Sequence, residues 1–333
     1  MATRIRVFMG LLGVATFVLF LVSLCVGPAP IPWRAALAGL VPGSGEDYGL
    51  IVRELRLPRA LLALGIGATL GLAGAVLQGM LRNPLAEPGV IGVSTLAALG
   101  AVLAFYSGAA AVFPLALPCG GIVGALLAAV VLSALMRRHT GTLGLILAGV
   151  AINSFGGALT ALALNLAPNP YAAYEIFFWL MGSLADRSMA HVWLVLPFML
   201  GGSAMLAWAA RDLDVLALGE EAAQSLGLDL PRLRLLVVAG TALAVGSGVA
   251  VAGVIGFVGL VVPHLLRPFT GHTPSRLAPA SALGGAALTL AADVCTRLVV
   301  VNAELKLGVV TALVGAPFFL YLVVRTREAW AWR

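Results

Sequence analysis

Few residues in this chain have types and spacing suited to chemistry. The four histidines, His139, His191, His264 and His272, are scattered, with no metal-ligand spacing and no H-E-x-x-H frame. No G-x-x-x-x-G-K-[ST] phosphate loop occurs, and the only lysine is Lys306, so any coupled ATP hydrolysis must take place on another polypeptide. Cys25, Cys119 and Cys295 are widely spread, odd in number, and read as small packed residues. No catalytic residue, metal site or resident cofactor is expected on this chain.

What remains is charge in unusual places. Asp293 falls late in an apolar run, where an acid is costly and often functional, and Arg297 four residues on can pair with it on a helix. Arg53, Arg56 and Arg59 recur every three residues in VRELRLPRALLAL, and helical spacing puts them on nearly one face. Two uses are open to them: snorkelling to lipid headgroups, or docking an acidic partner through bidentate arginine–carboxylate pairs. Between Leu218 and Arg234, LGEEAAQSLGLDLPRLR is a polar island between the uncharged runs Val192–Ala210 and Leu235–Pro263. Gly219 with Glu220 and Glu221 can open a short helix whose positive end suits acids, and Gly227 can close it in the left-handed cap conformation. Asp229 can cap a second turn with Pro231 inside it. A solvated loop is the plain alternative; the pattern predicts a knob of two short helices over 218–234 that another protein can push.

These residues must be positioned by membrane-spanning helices. The 333 residues are 61% hydrophobic and 10% charged, against about 25% charged in soluble proteins, and the mean hydropathy is +1.05. No long polar segment exists to form a soluble domain, so one transmembrane domain over residues 1–333 is expected. A span needs about 20 apolar residues. Ten candidates follow: Val7–Val26, Ala60–Leu81, Val90–Tyr106, Phe113–Met136, Leu143–Ala167, Val192–Ala210, Leu235–Val254, Val254–Leu266, Leu277–Thr296 and Leu307–Val324. The eighth is too short to cross alone and reads as a half-helix tucked into the bundle. Val7–Val26 reads as a retained first span, too long for a signal peptide core.

With ten crossings and cytoplasmic termini, 13 of the 20 positive residues, the Arg137-Arg138 pair among them, fall inside, as the positive-inside rule requires. The +6 net charge therefore reports orientation, not nucleic-acid binding. Gly65, Gly67, Gly71 and Gly74 crowd one span and Gly240, Gly246, Gly248 and Gly253 another, a composition for close helix approach. A loose internal repeat, Leu81-Arg82-Asn83-Pro84 against Leu266-Arg267-Pro268, is weak in so Ala/Leu/Gly-rich a chain. An ion-coupled secondary transporter should show charge at the midplane, and Asp293 is the only clear mid-run acid.

The segment Arg56–Ala98, RLPRALLALGIGATLGLAGAVLQGMLRNPLAEPGVIGVSTLAA, and the segment Gly253–Arg267, GVIGFVGLVVPHLLR, resemble the two signatures of iron-chelate and cobalamin importer permeases. Between them, Glu221-Ala222-Ala223-x-x-x-Gly227 resembles the first half of the EAA loop of ABC importers, although Leu230-Pro231 follows sooner than the full pattern has it. The chain is identified as a member of the type II ABC importer permease family, which includes the vitamin B12, ferric siderophore and haem importers. The resemblance implies an all-α homodimer with a pore on the two-fold axis, embedded in lipid of the bacterial cytoplasmic (inner) membrane. It implies two ATPase subunits below, carrying the ATP and magnesium, and a substrate-binding protein outside; no nucleic acid is involved. It places ATPase coupling at Glu220, Glu221, Ala222, Ala223, Leu226 and Gly227. It places the cytoplasmic gate at Asn83, Leu85 and Thr142, and docking of the binding protein at Arg56, Arg59 and, more loosely, Arg297. Tyr171–Leu184 becomes a short outer helix beside the pore mouth. The cargo implied is a ferric siderophore or haem, with cobalamin next.

Overall fold

The computed structural model describes residues 2–41, 43, 46–136, 142–299 and 305–330. Among these residues every regular element is helical: α1 (Ala2–Cys25), α2 (Trp33–Ala38), α3 (Glu46–Ile51), α4 (Leu57–Met80), α5 (Val93–Tyr106), α6 (Ala109–Val112), α7 (Ala116–Met136), α8 (Thr142–Asn165), α9 (Pro170–Leu180), α10 (Met189–Leu216), α11 (Glu220–Ser225), α12 (Leu230–Ala252), α13 (Val258–Leu266), α14 (Pro274–Leu298) and α15 (Leu307–Trp330). Seven helical stretches are long and apolar enough to cross a membrane. Two further apolar helices, α5 and α15, and the nine-residue α13 complete a set of ten apolar elements among the described residues.

Three of the departures from the sequence expectation have a clear local reason. The second span begins at Tyr48 rather than Ala60, running 33 residues to Met80 through a π-turn at Val52–Arg56. The arginines do not end this helix, because their side chains find partners within the chain: carbonyls for Arg53 and Arg56, and the Asp293 carboxylate for Arg59. The third span begins at Val93, since Pro88–Ile91 forms a 3₁₀ turn and Gly92 takes φ +81°. The 14-residue α5 is then only about 21 Å long, against roughly 30 Å of hydrocarbon. The knob at 218–234 is one short helix, α11; Asp229 caps the 23-residue α12 itself, its carboxylate accepting from Arg232 N–H at 3.0 Å. The expected second short helix is the first turn of a long one.

The bundle has two ends. Asp214 near the C-terminus of α10 binds Ser275 at the start of α14, and Phe8 of α1 stacks on Phe269 at 5.1 Å, so these lie at the α11 end. Gly308 N–H donates to Gly182 O at 3.3 Å, placing the start of α15 at the other end, beside α9. The described chain thus starts and finishes at the α11 end.

Small residues set the packing. The most extensive contact is between α4 and α14. A Cβ on Gly67 or Gly71 would run into the backbone oxygens of Gly285 and Ser281. Such close approach replaces the hydrophobic driving force that lipid cannot supply between helices.

Candidate functional site

At the α11 end, Gly219 (φ +114°) turns the chain out of α10 and Gly227 (φ +88°) turns it into α12. Between them α11 lies on the bundle surface. Ala223 is fully buried, and its carbonyl accepts from Leu228 N–H at 2.9 Å. Ala222, Glu221 and Leu226 are exposed, and Glu220 is half-buried and paired with Arg234 at 3.2 Å. Of the two alanines expected to meet a partner, only Ala222 faces outward; Ala223 fits the helix to its own bundle. An exposed six-residue helix with Leu218 and Leu226 at its two ends, both about two-thirds exposed, is shaped to enter a groove.

The residues expected to form the gate lie at the same end. Asn83 is exposed, and its Oδ1 accepts from Leu85 N–H at 2.9 Å, an Asx turn that follows α4. Leu85 packs on Leu260, Val261 and Leu322, so the turn rests on α13 and α15. The backbone of Thr142 opens α8, while its side chain, like the Arg137-Arg138 pair, lies outside the described residues. The structure joins α8 to the gate loop through Asn153, whose Nδ2 donates to Gly89 O at 2.9 Å and Val90 O at 3.2 Å.

Between gate and bundle lies a pair of contacts that motif reading missed. Gln78 on α4 accepts from Arg267 Nη2 at 2.6 Å and donates to Gly259 O and Leu260 O. Glu87 Oε2 accepts from Phe257 N–H at 3.3 Å, at the N-terminus of α13. The half-helix α13 is therefore gripped at both ends by the segment that carries Asn83 and Leu85. A nine-residue helix is about 13 Å long, so Glu87 sits well inside the membrane although its sequence position reads as a loop. It joins Asp293 as an interior acid. Its neighbours Pro84 and Pro88 were the only local signal that the loop is structured.

At the α9 end the expected docking arginines have a different occupation. Arg56 is buried, donating to Leu24 O, Cys25 O and Ala29 O at 2.6–3.0 Å. Arg297 is buried on Asp293 at 2.7 Å, with Ser23 O, Ser23 Oγ and Val26 O as further acceptors. Both guanidiniums are committed to holding the end of α1 and are not exposed docking groups. Arg59 binds the other oxygen of Asp293 at 2.9 Å and keeps 15% of its side chain exposed. The Asp293–Arg297 pair expected from i, i+4 spacing is present, and Arg59 makes it a triad. Both Asp293 oxygens are occupied by arginine, which leaves no carboxylate open for an ion-coupling site there.

Beside the triad is a cavity of about 410 Å³ lined by Arg56, Arg59, Arg187 and Arg297 among mostly apolar residues. Arg187 follows Asp186, whose φ is +57°. Burial pushes the Arg187 guanidinium down from its ordinary value, and the charge of Asp186 pushes back. α9, capped by Asn169 on Ala172 N–H at 2.9 Å, stands at this end with Tyr171 and Tyr174 exposed.

A helical membrane bundle with a half-helix packed inside it, a structured loop resting on that half-helix and one short surface helix is the architecture of a transport permease. The chain belongs to the FecCD transport family, whose model matches residues 15–325. It is 39% identical over 310 residues to the Fe(3+) dicitrate transport system permease protein FecD of Escherichia coli K12, covering 92% of this chain and 95% of that protein. It is 41% identical over 313 residues to the vitamin B12 import system permease protein BtuC of Salmonella typhimurium LT2, covering 92% and 91%. A solved structure described as an inward-facing metal-chelate type ABC transporter superposes with a TM-score of 0.85 at 32% identity, covering 96% of this chain and 99% of that one. This chain is accordingly the multi-pass permease subunit of a type II ABC importer. It is not an enzyme; ATP hydrolysis resides on a separate ATPase subunit, and a binding protein is the other partner.

Proposed function

We propose that two copies of this chain form a homodimer in the bacterial cytoplasmic membrane and import a metal chelate, a ferric siderophore or haem, delivered by an extracytoplasmic binding protein. The observation that carries this reading is α11, a short exposed helix held on the bundle by the buried Ala223 and closed at both ends by left-handed glycines. Nucleotide-driven closure of an ATPase around it moves α10 and α12 as rigid bodies. The positive-inside bias puts this end, with both termini, in the cytoplasm. The gate is then Asn83, Leu85 and Thr142, an uncharged ring that in a two-fold dimer meets its own copy across the axis. Docking falls to the opposite end, at Arg59, with Arg56 and Arg297 as the frame beneath it.

A cobalamin cargo is the second reading, favoured by the BtuC relatives, whose identity to this chain equals or exceeds that of FecD. Reconstitution with the cognate ATPase and binding protein tests both. Vesicle uptake of ferric siderophore or haem should require ATP and magnesium, and cobalamin serves as the competing cargo. Uptake driven by an ion gradient without the ATPase would overturn the reading.

A further inference from the structure

Four guanidiniums line the cavity at the α9 end, and three of them spend their donors inside the chain. Arg56 is held by three backbone carbonyls, Arg297 by Asp293, Ser23 and Val26, and Arg59 by Asp293 and Thr296. Arg187 is different. Its Nε is buried without a hydrogen-bond partner, and Asp186 attracts it without forming an ion pair among the described residues. A buried N–H without a partner marks a guanidinium that the chain's own carbonyls do not hold, and Arg187, which is only half-buried, can turn its two Nη groups to an acceptor entering the cavity. The charge around the cavity has the sign to attract one, since among the described residues Arg56, Arg59, Arg187 and Arg297 are set against Asp186 and Asp293.

We propose that Arg187 receives a carboxylate side chain of the extracytoplasmic binding protein, making it the guanidinium in this cavity left available for a partner. The inference rests on the docking reading given above and names the residue that completes it. The chemistry matches an acidic side chain in particular. Arginine pairs with a carboxylate through two parallel N–H···O bonds. Mostly apolar walls exclude water from that pair and strengthen it. A cavity of about 410 Å³ has room for one such side chain with its aliphatic stem. Arg56 and Arg297 hold the floor in place, so the carboxylate enters a preformed positive site and no internal bond need break.

The test is binding kinetics between the partner protein and the permease–ATPase complex in nanodiscs, compared at equal ATPase content per disc. Arg187→Gln should speed dissociation by about thirtyfold or more, as loss of one partner of a desolvated charge pair does. Arg187→Glu should weaken capture further, Arg187→Lys should restore part of it, and an acid-to-arginine change on the partner should rescue Arg187→Glu. If Arg59→Glu weakens binding while Arg187→Glu and Arg187→Gln leave it unchanged, this inference is overturned and the docking reading stands. If neither position matters, the docking reading fails as well. If capture depends on anionic lipid in the disc and Arg187→Gln removes that dependence, a lipid phosphate occupies the site, and the inference is again overturned.

Discussion

The Phe257 backbone N–H donates to Glu87 Oε2 at 3.3 Å, across 170 residues of sequence. Phe257 has φ +67° and stands at the N-terminus of α13, where the helix dipole favours a carboxylate. The two signature segments are thereby one unit: the first carries the Asn83–Leu85 turn, and the second is the half-helix on which that turn rests.

Glu87→Ala should loosen this unit. A lost N-terminal cap costs about 1 kcal/mol, so the detergent-solubilised permease should melt a few degrees lower. Glu87→Gln keeps an acceptor for Phe257 and should lie between the two. Equal melting temperatures for all three proteins would remove Glu87 from this role.

Asp293 holds two arginines at once. Its removal leaves Arg297 buried and unpaired, a loss of about 3–5 kcal/mol in comparable buried pairs. Asp293→Ala should therefore reduce the yield of folded permease sharply. Thermal melting of the extracted protein would register the loss, and a variant that melts like wild type would mean that the triad does not stabilise the end of α1.

The two alanines of α11 should separate folding from coupling. Ala223 is fully buried, so Ala223→Arg should damage insertion and stability. Ala222 is exposed, so Ala222→Arg should leave the permease folded and abolish co-purification of the ATPase. Normal ATPase association in the folded Ala222→Arg protein would separate α11 from the coupling role.

Gly71 lies where a Cβ would meet Ser281 O on α14. Gly71→Val should force the most extensively packed helix pair apart, with a cost of about 1–3 kcal/mol for overpacking. Gly201, which has open space around its Cβ position, is the control; Gly201→Ala should be tolerated, and equal melting of both variants would refute close packing at Gly71.

The gate can be read by cross-linking. Thr142→Cys, on a background lacking Cys25, Cys119 and Cys295, should form a disulfide with its symmetry mate in the closed state and block transport until reduced. Absence of cross-linking in every nucleotide state of an intact dimer would take Thr142 out of the gate.

Some of this was legible in the chain alone, because a bilayer imposes a simple rule on composition. Apolar runs of about 20 residues mark the spans, which is why ten apolar elements, including the half-helix over 254–266, could be counted from hydropathy. The Asp293–Arg297 pair was legible because four residues return to the same face of a helix, and the turn at Gly227 because a short helix closes there most readily on a left-handed glycine. Tertiary structure decided what these groups touch. No local pattern says that Arg56 reaches back to the carbonyls ending α1, since those acceptors lie up to 32 residues away. None distinguishes Ala222 from Ala223, because the side of α11 that meets the bundle depends on how α10 and α12 cross. None places Glu87 inside the membrane, because its depth comes from the half-helix it caps, 170 residues on. Hydropathy is a property of segments; hydrogen-bond satisfaction in a medium without water is a property of the assembled bundle.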